Sequence, residues 1–322
     1  MLPPPGLGLG GAPLGNLFSA VSEREADATI AGAWDAGVRY FDTAPLYGAG
    51  LSEHRLGAFL RGRPRDAFVL STKVGRLLDP DPAQGREQAG YVAALPFRVR
   101  FDYSEEGARR SLRESLQRLG LARIDIAWIH DPAEDTHGAE WRTVFAETMA
   151  GAARALAAMK EEGTIRAWGL GVNRIEPCLL ALEQAAPDLF LLAGRYSLLE
   201  TSALAELFPA CAERGARVVI GGPYNSGLLA GGTTFDYRAA PAAMLERRAR
   251  IGACCERFGV AMKAAALQFA AAHAVVAAVI AGARSADEVR ENAAMMKRPI
   301  PSEFWAGLKE EKLIPADAPV PV

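Results

Sequence analysis

The feature that most constrains the fold is a regular alternation of short apolar runs with longer helical patterns along all 322 residues. The apolar runs have strand length, and the stretches between them repeat their apolar residues with a helical period. Strands that alternate with helices form a parallel sheet. We predict strands over 38–42, 68–73, 124–129, 165–170, 189–193, 218–220 and 275–280, after a glycine-rich first strand. Eight such units close most simply into a (β/α)8 TIM barrel, an α/β fold.

A Gly-x-Gly-x-x-Gly pattern at Gly6–Gly11 resembles a dinucleotide fingerprint, but its context is wrong. That fingerprint requires a strand before it and a helix directly after it. Here prolines precede the pattern, and Pro13 follows it closely. We therefore interpret Gly6–Gly11 as the first barrel strand with its loop. An open, doubly wound sheet is the less favoured alternative.

The composition does not change between the two halves of the chain, so we expect one barrel domain over residues 1–322. Two segments fall outside the repeating pattern. Residues 75–103 contain prolines, glycines and aromatic residues without a sustained period, and so long a connection is typical of a lid or a binding loop. Residues 297–322 form a C-terminal segment, with a short helix near 303–311, that we place over or beside the barrel.

Charge and cysteine content exclude several classes of partner. The net charge is −2 and no basic stripe occurs, so we expect no nucleic-acid or membrane partner. The apolar tract 264–282 is interrupted by polar residues and is typical of a buried helix followed by a strand. The N-terminus lacks the regions of a signal peptide. The cysteines (Cys178, Cys211, Cys254 and Cys255) have no metal-site or disulfide spacing, which favours buried thiols and a cytoplasmic location.

Four side chains with complementary proton chemistry follow three of the predicted strands. Asp42 ends one strand and Tyr47 lies on the turn after it, while Lys73 and His130 end two others. The carboxyl ends of barrel strands meet on one face, so these side chains are expected to converge. A cationic lysine lowers the pKa of a nearby phenol from about 10, and an aspartate keeps that lysine charged. A histidine can orient a substrate oxygen and contribute to the proton path. Taken singly each residue has an ordinary structural explanation, but together they predict a catalytic site without a metal.

With these motifs the chain resembles the aldo/keto reductase superfamily from about Gly6 to the C-terminal region. The resemblance depends on Phe41-Asp42-Thr43-Ala44-x-x-Tyr47-Gly48, Ser52-Glu53, Ser71-Thr72-Lys73 and Ile129-His130 in combination. It implies a barrel of the aldo/keto reductase type that binds an extended nicotinamide cofactor without a Rossmann domain. It also implies that Tyr47 is the acid/base, that Lys73 and Asp42 tune it, and that His130 binds and polarises the substrate oxygen.

Within the superfamily the chain is similar to a branch that contains D-threo-aldose 1-dehydrogenases (L-fucose dehydrogenases) and pyridoxal 4-dehydrogenases. This similarity depends on stretches 7–17, 99–104, 191–199 and 221–227. Both kinds of small-molecule substrate exist as cyclic hemiacetals, so the resemblance implies an oxidation that gives a lactone. We expect Tyr47, His130 and Trp128, with aromatic residues of 75–103, to line the substrate site. Aromatic rings suit a sugar face and a pyridine ring equally, so the substrate stays open.

The same resemblance assigns the cofactor residues. Backbone amides of Ser226, Gly227 and Leu228 are expected to bind the pyrophosphate. The stretch that contains Gly282, Arg284, Glu288 and Asn292 is a strand end followed by a helix N-terminus, which suits the adenosine half of the cofactor. Asn292 matches an asparagine that contacts adenine, and Glu288 stands where NADP-specific members have an arginine. A carboxylate repels a 2′-phosphate, so we predict NAD as the preferred cofactor, with NADP as the alternative that Arg284 would favour.

Three positions around the nicotinamide depart from the superfamily pattern. The usual Ser-Asn pair falls at Gly171-Val172, so we assign the carboxamide to Asn173. The usual glutamine falls at Ala193, and the usual stacking aromatic residue falls at Gly221. Tyr196 and Tyr224 are the candidates to replace it.

Two other functions remain open from the sequence. One is a reductase of the same superfamily that works from carbonyl to alcohol with the same four residues. The other is a non-catalytic, nucleotide-sensing barrel, which the intact set Asp42, Tyr47, Lys73 and His130 disfavours. The sequence predicts no oligomeric state.

Overall fold

Eight parallel strands close into a barrel in the computed structural model, which describes residues 3–4 and 6–321. Met1, Leu2, Pro5 and Val322, which belong to the predicted domain span 1–322, lie outside the described residues. The strands are β1 (Leu7–Gly10), β2 (Tyr40–Asp42), β3 (Val69–Val74), β4 (Arg76–Pro80), β5 (Phe97–Phe101), β6 (Ile126–His130), β7 (Ala167–Val172), β8 (Leu189–Ala193), β9 (Arg217–Gly221), β10 (Thr234–Phe235), β11 (Arg238–Ala239) and β12 (Val276–Gly282). The closed order is β1, β2, β3, β6, β7, β8, β9 and β12, which confirms the predicted (β/α)8 barrel.

Helices cover the outside of this barrel. They are α1 (Glu23–Asp35), α2 (Leu51–Leu60), α3 (Glu105–Leu119), α4 (Glu134–His137), α5 (Trp141–Thr148), α6 (Arg154–Glu161), α7 (Glu176–Gln184), α8 (Leu207–Arg214), α9 (Ala242–Phe258), α10 (Met262–Ala271), α11 (Ala286–Met295) and α12 (Ser302–Glu310). Ser22 and Glu25 form a capping box at the start of α1, and Ser104 accepts from the Gly107 amide at the start of α3. No helix in the described part of the chain is both long and apolar enough to cross a membrane.

The glycine-rich start is a barrel strand, as predicted, and this excludes a dinucleotide fingerprint there. β1 pairs with β12 on one side and with β2 on the other, so it closes the barrel. Gly8 passes the ring of Tyr40 so closely that a Cβ atom would come within 2.9 Å of it. Glycine in this strand therefore allows the close approach of backbone and side chain.

The segment 75–103 contains more regular structure than we predicted. β4 and β5 form an antiparallel hairpin in which Arg76 is opposite Phe101. The residues between the two strands lie against the loops that follow β1 and β2: the Phe18 amide donates to Gly90 O at 2.9 Å and the Leu95 amide to Gly48 O at 3.0 Å. The segment is thus fixed over the carboxyl ends of the first two strands. The missed strands have few uninterrupted apolar residues, because one face of the hairpin is exposed.

The predicted helix 145–162 begins earlier, at Trp141, and contains a π-helical turn over Met149–Ala153. This turn meets the chain just after the hairpin, where the Ala152 amide donates to Tyr103 O at 2.8 Å. A Cβ atom on Gly151 would lie 2.5 Å from the same carbonyl oxygen, so glycine makes the contact possible. The π turn therefore helps to position Tyr103, which contacts the site described below.

The C-terminal segment lies beside the barrel and not over its mouth. α12 packs against α9, with Phe304 and Phe258 rings 6.2 Å apart. Trp305 stacks on Phe269 of α10 with ring centroids 6.4 Å apart. The segment therefore belongs to the outer helical layer, and none of its residues lines the cavity described below.

Candidate active site

Asp42 and Lys73 form a buried ion pair at the ends of two neighbouring strands. Asp42 is in register with Ser71 on β3, and Lys73 follows two residues later on the same face. Its ammonium lies 2.6 Å from Asp42 Oδ2 and donates to Thr43 O at 2.9 Å. Burial lowers the pKa of Lys73, and the Asp42 carboxylate acts against that shift by favouring the cation.

The second carboxylate oxygen of Asp42 is held by residues deeper in the barrel. Oδ1 accepts from Ser71 Oγ at 2.6 Å and from the indole N–H of Trp128 at 3.2 Å. Trp128 is 0% exposed and does not line the cavity above. Our expectation that Trp128 contacts the substrate is therefore wrong: it lies one layer below the site and orients Asp42.

Tyr47 lies on the turn after β2, and the start of α2 holds that turn in place. Ser52 Oγ donates to Gly11 O at 2.8 Å, and the fully buried Glu53 accepts from Thr72 Oγ1 at 2.7 Å. These contacts explain the structural use of the Ser52-Glu53 pair. They bring the tyrosine ring within 4.8 Å of the Lys73 ammonium, measured to the ring centroid.

The pKa of Tyr47 does not follow the expected direction. Burial raises it well above 10, and the negative charge of Asp42 adds to the rise. The ammonium of Lys73 lies 4.8 Å from the ring centroid and is paired with Asp42, whose negative charge opposes its effect on the phenol. With these surroundings Tyr47 is a protonated phenol, a donor ready for a substrate oxygen.

His130 ends β6, and its two ring nitrogens have different neighbours. Nδ1 accepts from the guanidinium of Arg76 at 2.7 Å, whereas Nε2 lies 3.1 Å from Asp131 Oδ2. Tyr103 Oη donates to His130 O at 2.8 Å and so fixes the backbone. Burial lowers the pKa of His130 well below 6.5, and the charges of Arg76 and Lys73 lower it further. The imidazole is therefore neutral at physiological pH.

These side chains surround a cavity of about 350 Å³ at the carboxyl ends of the strands. Tyr47, Lys73 and His130 line it, and the Tyr47 and His130 ring centroids lie 6.0 Å apart in an edge-to-face arrangement. Asp42 lies behind Lys73 and does not line the cavity. The structure thus brings the four predicted residues together at one end of the barrel, three at the cavity wall and one behind it.

The cavity wall also contains Tyr91, one of the aromatic residues of 75–103 that we expected there, and residues that we did not single out. Aromatic and polar side chains from loops complete it: Leu17, Phe18, Leu46, Tyr91, Asp131 and Tyr237. Tyr91 and Phe18 come from the loops at the mouth, and Tyr237 from the short β10–β11 hairpin. Asp131 has a positive φ of 50°, an unusual backbone conformation for a buried aspartate. Its place directly after His130 was the one signal in the sequence that pointed to it.

Small residues near the ends of three neighbouring strands form a shelf, and two of them, Gly171 and Ala193, line the cavity. Gly171 of β7 pairs with Leu191 of β8, and Ala193 of β8 pairs with Gly221 of β9. Because none of these small residues extends beyond a Cβ atom, a flat ring can lie over them. Asn173 lines the cavity beside this shelf, and its amide nitrogen donates to Asp135 Oδ2 at 3.3 Å.

Neither tyrosine that we considered as a substitute stacking residue lies free over the shelf. Tyr196 is 0% exposed and packs between Phe208 and Phe269 in the outer core. This excludes Tyr196 from the cavity. Tyr224 donates its hydroxyl to Asn292 Oδ1 at 2.7 Å, so it is tied to the adenosine side of the predicted cofactor site.

The turn at Ser226–Leu228 differs in detail from our expectation. The amides of Gly227 and Leu228 donate to Tyr224 O and Asn225 O, each at 3.2 Å, so they stabilise the turn itself. The Ser226 amide has no partner in the described part of the chain and is the one of the three left for an anion. Asn225, Ser226 and Gly227 all have positive φ, which makes the turn tight.

The segment after β12 has the predicted form of a strand end followed by a helix N-terminus. Ser285 caps α11 by accepting from the Glu288 amide at 3.2 Å. Glu288 accepts from the Arg284 amide at 2.8 Å, and its other oxygen lies 3.4 Å from the Arg284 guanidinium. Gly282 is needed for packing, since a Cβ atom there would come within 2.9 Å of Pro13.

The residues present fit an extended nicotinamide cofactor. The shelf of small residues suits a planar ring next to Tyr47 and His130, the free Ser226 amide suits a pyrophosphate oxygen, and the capped N-terminus of α11 suits the polar adenosine half. No cluster of His, Cys, Asp and Glu among the described residues could hold a metal ion.

Comparison with known proteins gives consistent results. Residues 6–312 match the sequence profile described as the Aldo/keto reductase family. A pyridoxal 4-dehydrogenase from Microbacterium luteolum is 42% identical over 96% of this chain and 94% of its own. A D-threo-aldose 1-dehydrogenase from Pseudomonas sp is 42% identical over 97% of this chain and 95% of its own.

A solved structure has the same fold. The aldo-keto reductase AKR11C1 from Bacillus halodurans, in its holo form, superposes with a TM-score of 0.72 and 27% sequence identity, over 97% of this chain and 93% of that one. Aldo-keto reductases use nicotinamide cofactors, and the site geometry described above fits such a cofactor. The chain therefore belongs to the aldo/keto reductase family, and it is an oxidoreductase.

Proposed function

We propose that this enzyme is an NAD-dependent dehydrogenase that oxidises the hemiacetal carbon of an aldose such as L-fucose, or of pyridoxal, to a lactone. The observation that carries the proposal is the convergence of Tyr47, Lys73 and His130 on one cavity wall, with Asp42 behind them. The relatives named as a pyridoxal 4-dehydrogenase and a D-threo-aldose 1-dehydrogenase support the substrate class.

In this proposal the four residues have separate tasks. Tyr47 exchanges a proton with the substrate oxygen, and its raised pKa makes the phenol form the resting state. His130 is neutral and donates a hydrogen bond to the same oxygen. Asp42 keeps Lys73 in place at 2.6 Å. The nicotinamide, when bound, accepts the hydride that the substrate carbon loses.

The polar groups of the cavity favour an unphosphorylated substrate. The Asp131 carboxylate and the rings of Tyr91 and Tyr237 face the space next to the tetrad. The cations near it are already paired, Lys73 with Asp42 and Arg76 with Asp131. A phosphate would find a carboxylate and no unpaired cation among the described lining residues, whereas sugar hydroxyls can donate to the carboxylate and stack on the rings.

The pairing of Glu288 with Arg284 supports NAD over NADP. Glu288 places a negative charge at the start of α11 and holds Arg284 through both its amide and its guanidinium. A 2′-phosphate would have to displace this carboxylate, whereas a ribose diol can donate to it. We assign Arg284, Glu288 and Asn292 to the cofactor site, together with Asn173, Ser226 and Gly282. Gly227 and Leu228 contribute the turn that presents the Ser226 amide.

Reduction of a carbonyl is the second candidate. It is favoured by one observation, the raised pKa of Tyr47, because a protonated phenol is the form that donates to a carbonyl oxygen. The same four residues serve both directions.

A panel of substrates decides between these possibilities. L-fucose, L-galactose, D-arabinose, pyridoxal and pyridoxal phosphate are each incubated with NAD and with NADP, and NADH or NADPH formation is followed by absorbance. We expect turnover of at least one unphosphorylated hemiacetal, faster with NAD. Absence of activity with all of them would refute the dehydrogenase assignment, while reduction of simple aldehydes with NADH would support the second candidate.

We also propose a cytoplasmic location, because the cysteines Cys178, Cys211, Cys254 and Cys255 are free and buried. Buried free thiols are typical of proteins from a reducing compartment.

A further inference from the structure

Arg76 and His130 contact each other although they are 54 positions apart in the sequence. Arg76 is the first residue of the β4–β5 hairpin, and it is 5% exposed. One nitrogen of its guanidinium donates to His130 Nδ1 at 2.7 Å, and the other donates to Asp131 Oδ2 at 2.9 Å. The guanidinium therefore spans the histidine and the residue that follows it.

The chemistry of arginine restricts what His130 can be. A guanidinium has only donors, so Nδ1 of His130 must present its lone pair to Arg76. A neutral imidazole that accepts at Nδ1 carries its proton on Nε2. The contact of 3.1 Å between Nε2 and Asp131 Oδ2 does not have the alignment of a hydrogen bond, so this N–H is available to a ligand in the cavity that His130 lines.

The two cations around His130 act in the same direction, against the imidazolium. Arg76 from β4 and Lys73 from β3 are cations, and Asp131 is the anion beside the ring. Tyr47 faces the ring edge from the β2–α2 turn. Tyr103, after β5, bonds to the His130 carbonyl and also contacts His137 of α4 at 3.0 Å. Burial and the two cations together disfavour the imidazolium.

We propose that Arg76, held by Asp131, is a positioning residue that fixes His130 as the neutral imidazole with its proton on Nε2. His130 then donates a hydrogen bond to the substrate oxygen and takes no part in transferring a proton. The proton exchange is left to Tyr47. The expectation that His130 contributes to the proton path is replaced by a division of tasks between the two side chains. The tautomer of His130 is inferred from the geometry, whereas its role toward the substrate oxygen and the kinetic readout rest on the proposed function.

Nitrogen NMR tests the tautomer directly, because the chain has only 4 histidines. The protein is labelled with ¹⁵N-histidine, and the His130→Gln variant assigns the His130 signals. We expect an unprotonated Nδ1 and a protonated Nε2 at neutral pH. The ring should also stay neutral when the pH is lowered to about one unit below the ordinary histidine pKa of ~6.5. A proton on Nδ1, or titration near that ordinary value in the wild-type protein, would overturn the proposal.

Two variants of Arg76 test the cause. In Arg76→Met the fixed tautomer should be lost, and the pKa of His130 should rise toward its ordinary value, although burial and Lys73 still act against the imidazolium. Since this change leaves Asp131 without its partner, the double variant Arg76→Met with Asp131→Asn restores the charge balance and should behave in the same way. Retention of the wild-type tautomer in the folded double variant would refute the role of Arg76.

Kinetics provide a second readout once a substrate is known. An imidazolium beside the carbon that loses a hydride opposes the positive charge that develops there. The ratio of variant to wild-type kcat/KM should therefore fall about tenfold per pH unit below the pKa that NMR gives for His130 in the variant. Arg100→Met is the matched control: Arg100 belongs to β5 of the same hairpin, pairs with Asp79 at 3.0 Å and does not contact His130. A ratio that is constant with pH for Arg76→Met would contradict the proposal.

Discussion

Tyr91 stacks on Tyr47, the proposed acid/base, with ring centroids 5.8 Å apart and 28° between the planes. Tyr91 is held by a reciprocal pair of backbone hydrogen bonds with Gln88, at 2.8 and 3.0 Å. Its side chain is buried at 5% exposure, although it lies in the segment that we predicted as a loop. The stack connects the conformation of this segment to the position of the acid/base.

Replacing the ring of Tyr91 should weaken substrate binding. In Tyr91→Ala we expect KM to rise about tenfold and kcat to fall severalfold, because a stacking pair contributes roughly 0.5–1.5 kcal/mol beyond its buried area and Tyr47 loses its support. Tyr91→Phe keeps the stack and is the matched control, so steady-state kinetics of the two variants separate the ring from the hydroxyl. Equal losses in both would show that the hydroxyl, and not the stack, matters.

Tyr47→Phe should remove turnover and leave cofactor binding intact. General acid–base catalysis contributes about 10²- to 10⁴-fold, and we expect kcat to fall by that amount. Fluorescence titration with NADH checks binding, since the phenol is not among the assigned cofactor residues. A variant that keeps its full activity would remove Tyr47 from the mechanism and favour a sensing barrel.

Lys73 and Asp42 are expected to depend on each other for stability. Lys73→Met leaves the Asp42 carboxylate buried without its cation, which costs about 3–5 kcal/mol of unfolding free energy. The double variant Lys73→Met with Asp42→Asn removes both charges and should recover most of that loss, while activity stays low. Urea denaturation measures both effects. If the double variant is no more stable than Lys73→Met alone, the pair is not coupled as the 2.6 Å contact implies.

Glu288→Gln should shift the cofactor preference toward NADP. The change removes the negative charge at the start of α11 and releases Arg284 for a 2′-phosphate. We expect kcat/KM for NADP to rise about tenfold, the equivalent of roughly 1.4 kcal/mol. Asp287→Asn is the control, because Asp287 lies on the same turn, is exposed and pairs with Arg290. An unchanged ratio of NAD to NADP activity in Glu288→Gln would contradict the assignment.

The pH dependence of oxidation should follow the pKa of Tyr47. Oxidation needs the phenol without its proton, and burial raises that pKa well above 10, so the active form is the minor one at neutral pH. The logarithm of kcat/KM should therefore rise with a slope of about one between roughly pH 7 and pH 9, while carbonyl reduction stays nearly constant there. An oxidation rate that falls over this range would be inconsistent with Tyr47 as the base.

The strands and the residues at their ends could be predicted because both can be recognised from short stretches of sequence. Asp42, Lys73 and His130 end strands in the sequence pattern, and barrel closure brings them together. Trp128 was misplaced for a simple reason. It precedes His130 by two residues and shares its face of β6, but two residues along a strand place it one layer deeper in the barrel.

Contacts made by a segment that leaves the barrel and returns as a hairpin could not be predicted from the local sequence. Arg76 reaches His130 only because β4 continues from β3 past the site and returns as a hairpin, and nothing in the local sequence indicates which face its guanidinium takes. The amides of Gly227 and Leu228 were likewise assigned to a ligand because the sequence does not show that the turn consumes them. Prediction failed at Arg76 because a contact between distant parts of the chain decides the geometry, and at Gly227 and Leu228 because hydrogen bonds within the turn use the amides.

The β4–β5 hairpin leaves the barrel after Val74 and returns to it at Tyr103, so a single insertion in the chain contains both strands and the segment between them. It contributes Arg76 to the histidine, and the segment between its strands contributes Tyr91 to the tyrosine. Transplanting this insertion onto a related barrel would carry protonation control and part of the substrate wall together. An engineer who wishes to change the working pH of such an enzyme can therefore recode the hairpin and leave the eight barrel strands untouched.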